Sequence, residues 1–167
     1  MALQINPDRP LLVGPDVPEA PFPHKISGKV VSGFGRGSKE LGIPTANLSD
    51  EALEAMCTEF TSGVYYGWAQ IGAAGSQVYP MVMSLGWNPY YKNEKRSGEV
   101  HIIHEFPEDF YGIDIRVIVL GYVRPEQNYP SLDALITDIR TDVEVAKKSL
   151  QRPSYLEYKQ DPLFLGA

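Results

Sequence analysis

The chain is almost devoid of cysteine. Cys57 is the only one in 167 residues, which excludes an internal disulfide and every structural zinc site that needs two or more thiolates. A reducing compartment fits, so a cytoplasmic protein is expected. An excess of positive charge is also missing: 15 Lys and Arg against 21 Asp and Glu leave a formal net charge of -6. Nothing overall draws such a chain to nucleic acid or to an anionic membrane. The N-terminus has no basic start followed by an apolar run, and no stretch reaches the length of a membrane span. A soluble intracellular monomer is expected, with no nucleic-acid partner and no membrane insertion.

What is present falls into two parts. Residues 1 to 24 hold six prolines (Pro7, Pro10, Pro15, Pro18, Pro21 and Pro23), a spacing that prevents a regular helix or a central strand and predicts an extended arm on the domain surface. Residues 25 to 167 form the domain. KISGKVVSGF, SGVYYGWAQIG, QVYPMVMSLGW, GEVHIIHEF and IDIRVIVLGYVRP are rich in β-branched and aromatic residues and are separated by Gly, Pro, Asn and Asp. They predict five or six strands. Short connections without helices argue for antiparallel pairing, and closure into a barrel protects the edges. After the last strand the apolar period changes. Leu132, Leu135, Ile136, Ile139, Val143, Ala146 and Leu150 recur at three and four, one face of a helix. Ser131 is placed to cap it, Asp133 and Lys147 with Lys148 suit its ends, and Pro153 stops it.

The stretch GFGRGSKELGIPTAN, residues 33 to 47, has the wrong spacing for a P-loop, and Pro44 forbids the helix that a dinucleotide fingerprint requires. Its glycines expose backbone N–H groups beside Arg36 and Lys39, so an anion can sit there; a plain hairpin with exposed cations is the alternative. If Pro-Thr-Ala-Asn stays extended, Thr45 and Asn47 share one side and offer two neutral oxygens to a hard cation. Otherwise they bond their own backbone in a turn. His101 and His104 lie three apart in a strand, on opposite faces, and cannot chelate one ion together. The same alternation puts Glu99 with His101 on one face and Val100, Ile102 and His104 on the other. Tyr65, Tyr66, Trp68, Trp87, Tyr90 and Tyr91 either stack on a planar ligand or fill the barrel, packing being the commoner role. The polar run from Asn88 onward reads as a loop placed to act as a lid.

Taken in order, GFGRGSKELGIPTAN, GVYYGWA, SLGWNPYYKN, EVHIIHEF, DFYG and GYVRPEQNY closely resemble the eukaryotic monofunctional riboflavin kinases, from about Gly28 through the C-terminal helix. The resemblance implies a six-stranded antiparallel closed β-barrel with a C-terminal α-helix. It also implies transfer of the ATP γ-phosphoryl group to the 5′-hydroxyl of riboflavin, giving FMN and ADP. Carried over by position, the glycine loop with Gly33, Gly35 and Lys39 would hold ATP, together with Thr45, Ile102, His104 and Tyr111. Thr45 and Asn47 would bind the metal, expected to be Mg²⁺, although two neutral oxygens discriminate poorly against Zn²⁺ or Mn²⁺. Glu99 would be the catalytic base, and Arg124, Gln127 and Tyr129 would face the flavin. Three rivals remain: a flavin- or nucleotide-binding barrel without turnover, a bifunctional enzyme that also makes FAD, for which the chain is too short, and a nucleic-acid-binding barrel, which the charge disfavours.

Overall fold

The structure, a computed structural model, describes residues 5–31, 45–87, 96–103 and 112–166. Its strands are β1 (His24–Val31), β2 (Thr45–Leu48), β3 (Gly63–Ile71), β4 (Val78–Trp87), β5 (Arg96–Ile102) and β6 (Asp114–Arg124). They close into a barrel in the order β1-β2-β5-β4-β3-β6, every neighbour antiparallel. The sixth strand, β2, holds Thr45, Ala46 and Asn47, which are therefore extended.

The expectation of helix-free connections needs correction. Helix α1 (Asp50–Glu59) joins β2 to β3, which are not neighbours in the barrel. Ser49 caps it through its side-chain oxygen, Asp50 and Glu51 sit in its first turn, and Leu53 and Met56 are buried. Leu53 packs beside Gly98 of β5. The helix exists because two apolar side chains spaced three apart can plug the barrel while the remaining face stays in solvent.

Two apolar layers hold the fold. Inside the barrel, Ala46, Met81, Met83, Val100, Ile102 and Val117 are fully buried. Outside it, Tyr66, Trp68, Val82 and Ile118 pack against the C-terminal segment through Ala146, Leu150, Tyr155 and Phe164. Strand β3 is covered on both faces, which explains why GVYYGWAQI reads as one apolar run without alternation. The aromatic cluster is accordingly structural. Tyr65 is 2% exposed, the Tyr66 hydroxyl donates to the Val13 carbonyl at 2.7 Å, and the Trp68 Nε1–H donates to the Tyr155 carbonyl at 2.9 Å.

Gly67 marks the tightest approach between strands. A Cβ there would lie 1.9 Å from the Ile118 carbonyl oxygen, next to a register shift in the β3–β6 pairing. Backbone cannot swing aside as a side-chain tip can. Gly67→Ala is expected to cost about 1–3 kcal/mol, read as a lower urea midpoint; an unchanged midpoint would show that the two strands can part freely.

Helix α2 (Leu132–Ser149) begins as the sequence predicts, with the Ser131 hydroxyl oxygen accepting from the Ala134 N–H at 3.1 Å. Its burial differs from the expectation. Leu132 is 57% exposed, whereas Asp138, Thr141, Asp142 and Ser149 are buried. Two faces of α2 are covered. The apolar one turns toward the barrel and a cavity between them, and the polar one lies under residues 6 to 13 of the N-terminal arm. Short helices α3 (Pro153–Leu156) and α4 (Pro162–Leu165), separated by a 3₁₀ turn (Glu157–Gln160), close the fold.

Candidate active site

Strand register carries one row of residues across five strands. Asn47 of β2 pairs with Glu99 of β5, Glu99 with Ser84 of β4, Ser84 with Val64 of β3, and Val64 with Arg124 of β6. Directly opposed residues lie roughly 4.5–5.5 Å apart at Cα, so neighbouring groups in the row can meet one molecule. Ala46, Leu48, Met83, Leu85 and Val100 alternate with this row and fill the barrel interior. Asn47, Ser84 and Glu99 therefore point outward.

Outside the row lies a cavity of about 270 Å³, open on one side. Glu99, His101 and Ser84 form its barrel wall, Arg124, Gln127 and Tyr129 its rim, and Leu135 and Ile139 of α2 the facing wall. The base and all three flavin-side residues named from the sequence thus border one space. Nothing in the local sequence joins positions 99 and 124 to 129; the β5-β4-β3-β6 order does.

Other assignments fall elsewhere. The Ile102 side chain is sealed in the barrel at 0% exposure, which leaves its main chain as the part able to meet a nucleotide. Thr45 is paired through its backbone with His101, and its side chain lies outside the described residues. Gly33, Gly35, Lys39, His104 and Tyr111 also lie outside them, as do residues 88–95 of the proposed lid, whose end is corrected: from Arg96 the chain is strand β5, paired with β4, and not loop.

Two carboxylates missed in the sequence organise the rim. Asp142, 1% exposed, accepts from Arg124 Nε at 3.0 Å and from its Nη2 at 2.9 Å. Asp138 accepts from the Tyr129 hydroxyl at 2.6 Å, and the Arg124 guanidinium lies 5.7 Å from the centre of the Tyr129 ring. Burial lowers the Arg124 pKa, but pairing with Asp142 outweighs it and holds the cation. Burial raises Tyr129 and its bond to Asp138 raises it further, so the phenol stays protonated. Their signal in the sequence was a pair of acids four apart on the predicted helix, which ordinarily marks a solvated face.

From the sequence, His101 stands out only as half of a histidine pair that cannot chelate zinc. Burial lowers its pKa to about 4, its Nδ1 is buried without a hydrogen-bond partner, and the ring borders the cavity as a neutral group. Among the described residues no three His, Cys, Asp or Glu side chains cluster as a metal centre would. Asn47 stands opposite Glu99 in the register, and a neutral amide oxygen is of the kind that suits a hard cation arriving with phosphates and needing few protein ligands.

The family model for flavokinase, described as riboflavin kinase, matches residues 20–150. The riboflavin kinase of Pyricularia oryzae is 52% identical over 163 residues, covering 89% of this chain and 82% of that protein. That of Homo sapiens is 51% identical over 143 residues, covering 86% and 91%. Among solved structures, riboflavin kinase from Trypanosoma brucei superposes with a TM-score of 0.67 at 31% identity, covering 84% of this chain and 87% of that one. By matched length, identity and barrel alike, the chain belongs to the riboflavin kinase family.

Proposed function

We propose that this riboflavin kinase transfers the ATP γ-phosphoryl group to the 5′-hydroxyl of riboflavin, giving FMN and ADP, with Glu99 as the base. One observation carries the assignment of roles: Asn47 and Glu99 are paired across β2 and β5, and Glu99 opens into the cavity rimmed by Arg124, Gln127 and Tyr129. The volume, about 270 Å³, lies just below the roughly 300–1,000 Å³ usual for small-ligand sites. Apolar walls from Val64, Leu135 and Ile139 suit a flat aromatic ring, and the polar row suits a polyhydroxyl chain leading to Glu99.

Phosphoryl transfer needs alignment and neutralisation of charge more than covalent help. Glu99 orients the hydroxyl by accepting its hydrogen bond and takes the proton as the oxygen–phosphorus bond forms. His101, kept neutral by burial, borders the same cavity and adds no positive charge beside that carboxylate. Asn47, with Thr45, would hold a divalent ion, Mg²⁺ first and Zn²⁺ or Mn²⁺ as alternatives. Once bound, that ion would neutralise phosphate charge. Gly33, Gly35, Lys39, His104, Tyr111 and the Ile102 main chain are assigned to ATP by resemblance. Residues 25–167 form the kinase unit and residues 1–24 the arm. A monomer is the assembly we propose, and the lone thiol of Cys57 favours the cytoplasm. No helix among the described residues is long and apolar enough to cross a membrane.

Purified protein incubated with riboflavin, ATP and Mg²⁺ is expected to yield FMN and ADP in equal amounts by chromatography. Riboflavin binding without FMN, across several divalent ions, would make the chain a flavin-binding barrel instead.

A further inference from the structure

The N-terminal arm is more than a cover. It follows α2 in register: the Asn6 N–H donates to Thr141 Oγ1 at 2.9 Å and the Val13 N–H to Ser149 Oγ at 3.1 Å. At its far end, Arg152 donates to the carbonyls of Val13, Gly14 and Pro15 at 2.7–2.8 Å. Between these anchors, Arg9 reaches under α2. Its Nη1 donates to Asp138 Oδ1 at 3.0 Å and to the Asp138 carbonyl at 3.2 Å, and its Nη2 donates to Asp142 Oδ1 at 2.7 Å.

These are the same two carboxylates that hold Tyr129 and Arg124 at the cavity rim. Two acids and two guanidinium groups balance. Without Arg9 one buried negative charge has no cation, and Asp138 and Asp142 compete for Arg124, which already stands 3.9 Å from Asp138. Either arrangement shifts the Arg124 plane and the Tyr129 ring that lies against it, because buried charges rearrange to avoid being left unpaired. Glu99 is placed by strand register, opposite Asn47 and Ser84.

We infer that Arg9 is a positioning residue for flavin binding, acting through Asp138 and Asp142 on Arg124 and Tyr129. The residue lies outside the segment matched by the family model, 20–150, so the arm adds a support of its own to the flavin side. This inference rests on the reading of the cavity as the riboflavin site.

The test compares the full chain with Arg9→Ala and Arg9→Lys. Riboflavin Kd is read from quenching of its fluorescence, and the KM for each substrate and kcat from FMN formation. Loss of hydrogen bonds to two charged partners predicts a rise of about tenfold or more in the riboflavin Kd and KM of Arg9→Ala, with the ATP KM and kcat within about threefold. Arg9→Lys should recover part of the affinity, since one ammonium can restore the charge but not both bonds. A riboflavin Kd within about twofold of the parent in both variants, whatever happens to Tm, would overturn the inference. So would an equal change in both KM values. If Arg9→Ala does not fold, Arg9→Lys alone decides by the same criterion. FMN production by the unmodified protein tests the functional reading separately, so the two can fail independently.

Discussion

Glu99→Gln is expected to lower kcat by about 10²–10⁴-fold while riboflavin and ATP still bind. The substitution keeps the length and shape of the side chain on the outer face of β5, between Asn47 and Ser84. An amide oxygen can still accept a hydrogen bond from the substrate hydroxyl, so alignment survives. What it cannot do is take the proton as the hydroxyl oxygen bonds to phosphorus. Because the lost interaction belongs to the transition state, kcat and kcat/KM should fall together, while binding measured by fluorescence quenching stays put. A kcat within about threefold of the parent would remove Glu99 from the chemistry and leave it as a polar wall of the cavity.

Asp142→Ala is expected to destabilise the fold by about 3–5 kcal/mol, because removing one partner of a buried ion pair strands the others. Here two cations are left to share one carboxylate, Asp138. Arg124 and Arg9 side chains are 11% and 18% exposed, and both donate to Asp142. For a chain of this size each kcal/mol moves Tm by roughly 2–4 °C, so a loss on the order of 10 °C should appear in a thermal melt. The exposed pair of Lys29 with Asp114, at 66% and 55% exposure, provides the contrast: Asp114→Asn should leave Tm almost unmoved, since solvent screens such pairs to a fraction of a kcal/mol. Equal shifts from the two substitutions would show that burial does not govern these bridges. The network also has a pH signature. Burial raises the Asp138 carboxyl, and the Tyr129 hydrogen bond with Arg9 and Arg124 outweighs it, leaving the folded pKa below the ordinary 3.8. The stability it contributes is therefore present above that value and is lost as pH falls through the lowered one.

How much of this could be read without coordinates depended on the range of the interaction. Strand identities in β1, β3, β4, β5 and β6, the start of α2 at Ser131 and the split of Glu99 and His101 from Val100 and Ile102 all follow from neighbours one to four residues apart. Short motifs in order carried the likeness to riboflavin kinases, because a glycine loop, Pro-Thr-Ala-Asn and the glutamate strand each keep their own spacing. Helix α1 was within reach, with Ser49 before Asp50 and Leu53 and Met56 on one side, but ten residues with two buried anchors are a faint signal beside strands of nine to eleven.

The sequence by itself determined five of the barrel's six strands, the C-terminal helix and the chemical types along the row from Asn47 to Arg124. Only the tertiary structure decided that Glu99 meets Arg124, Gln127 and Tyr129 in one cavity, and that the acidic face of α2 is buried. Barrel closure sets the first, bringing β5 beside β4 and β3 beside β6. The second depends on Arg9, which bonds Asp138 and Asp142 from 129 and 133 residues away. Local periodicity reports which side chains share a face; it carries no information about a cation from the other end of the chain that makes burial of two carboxylates affordable.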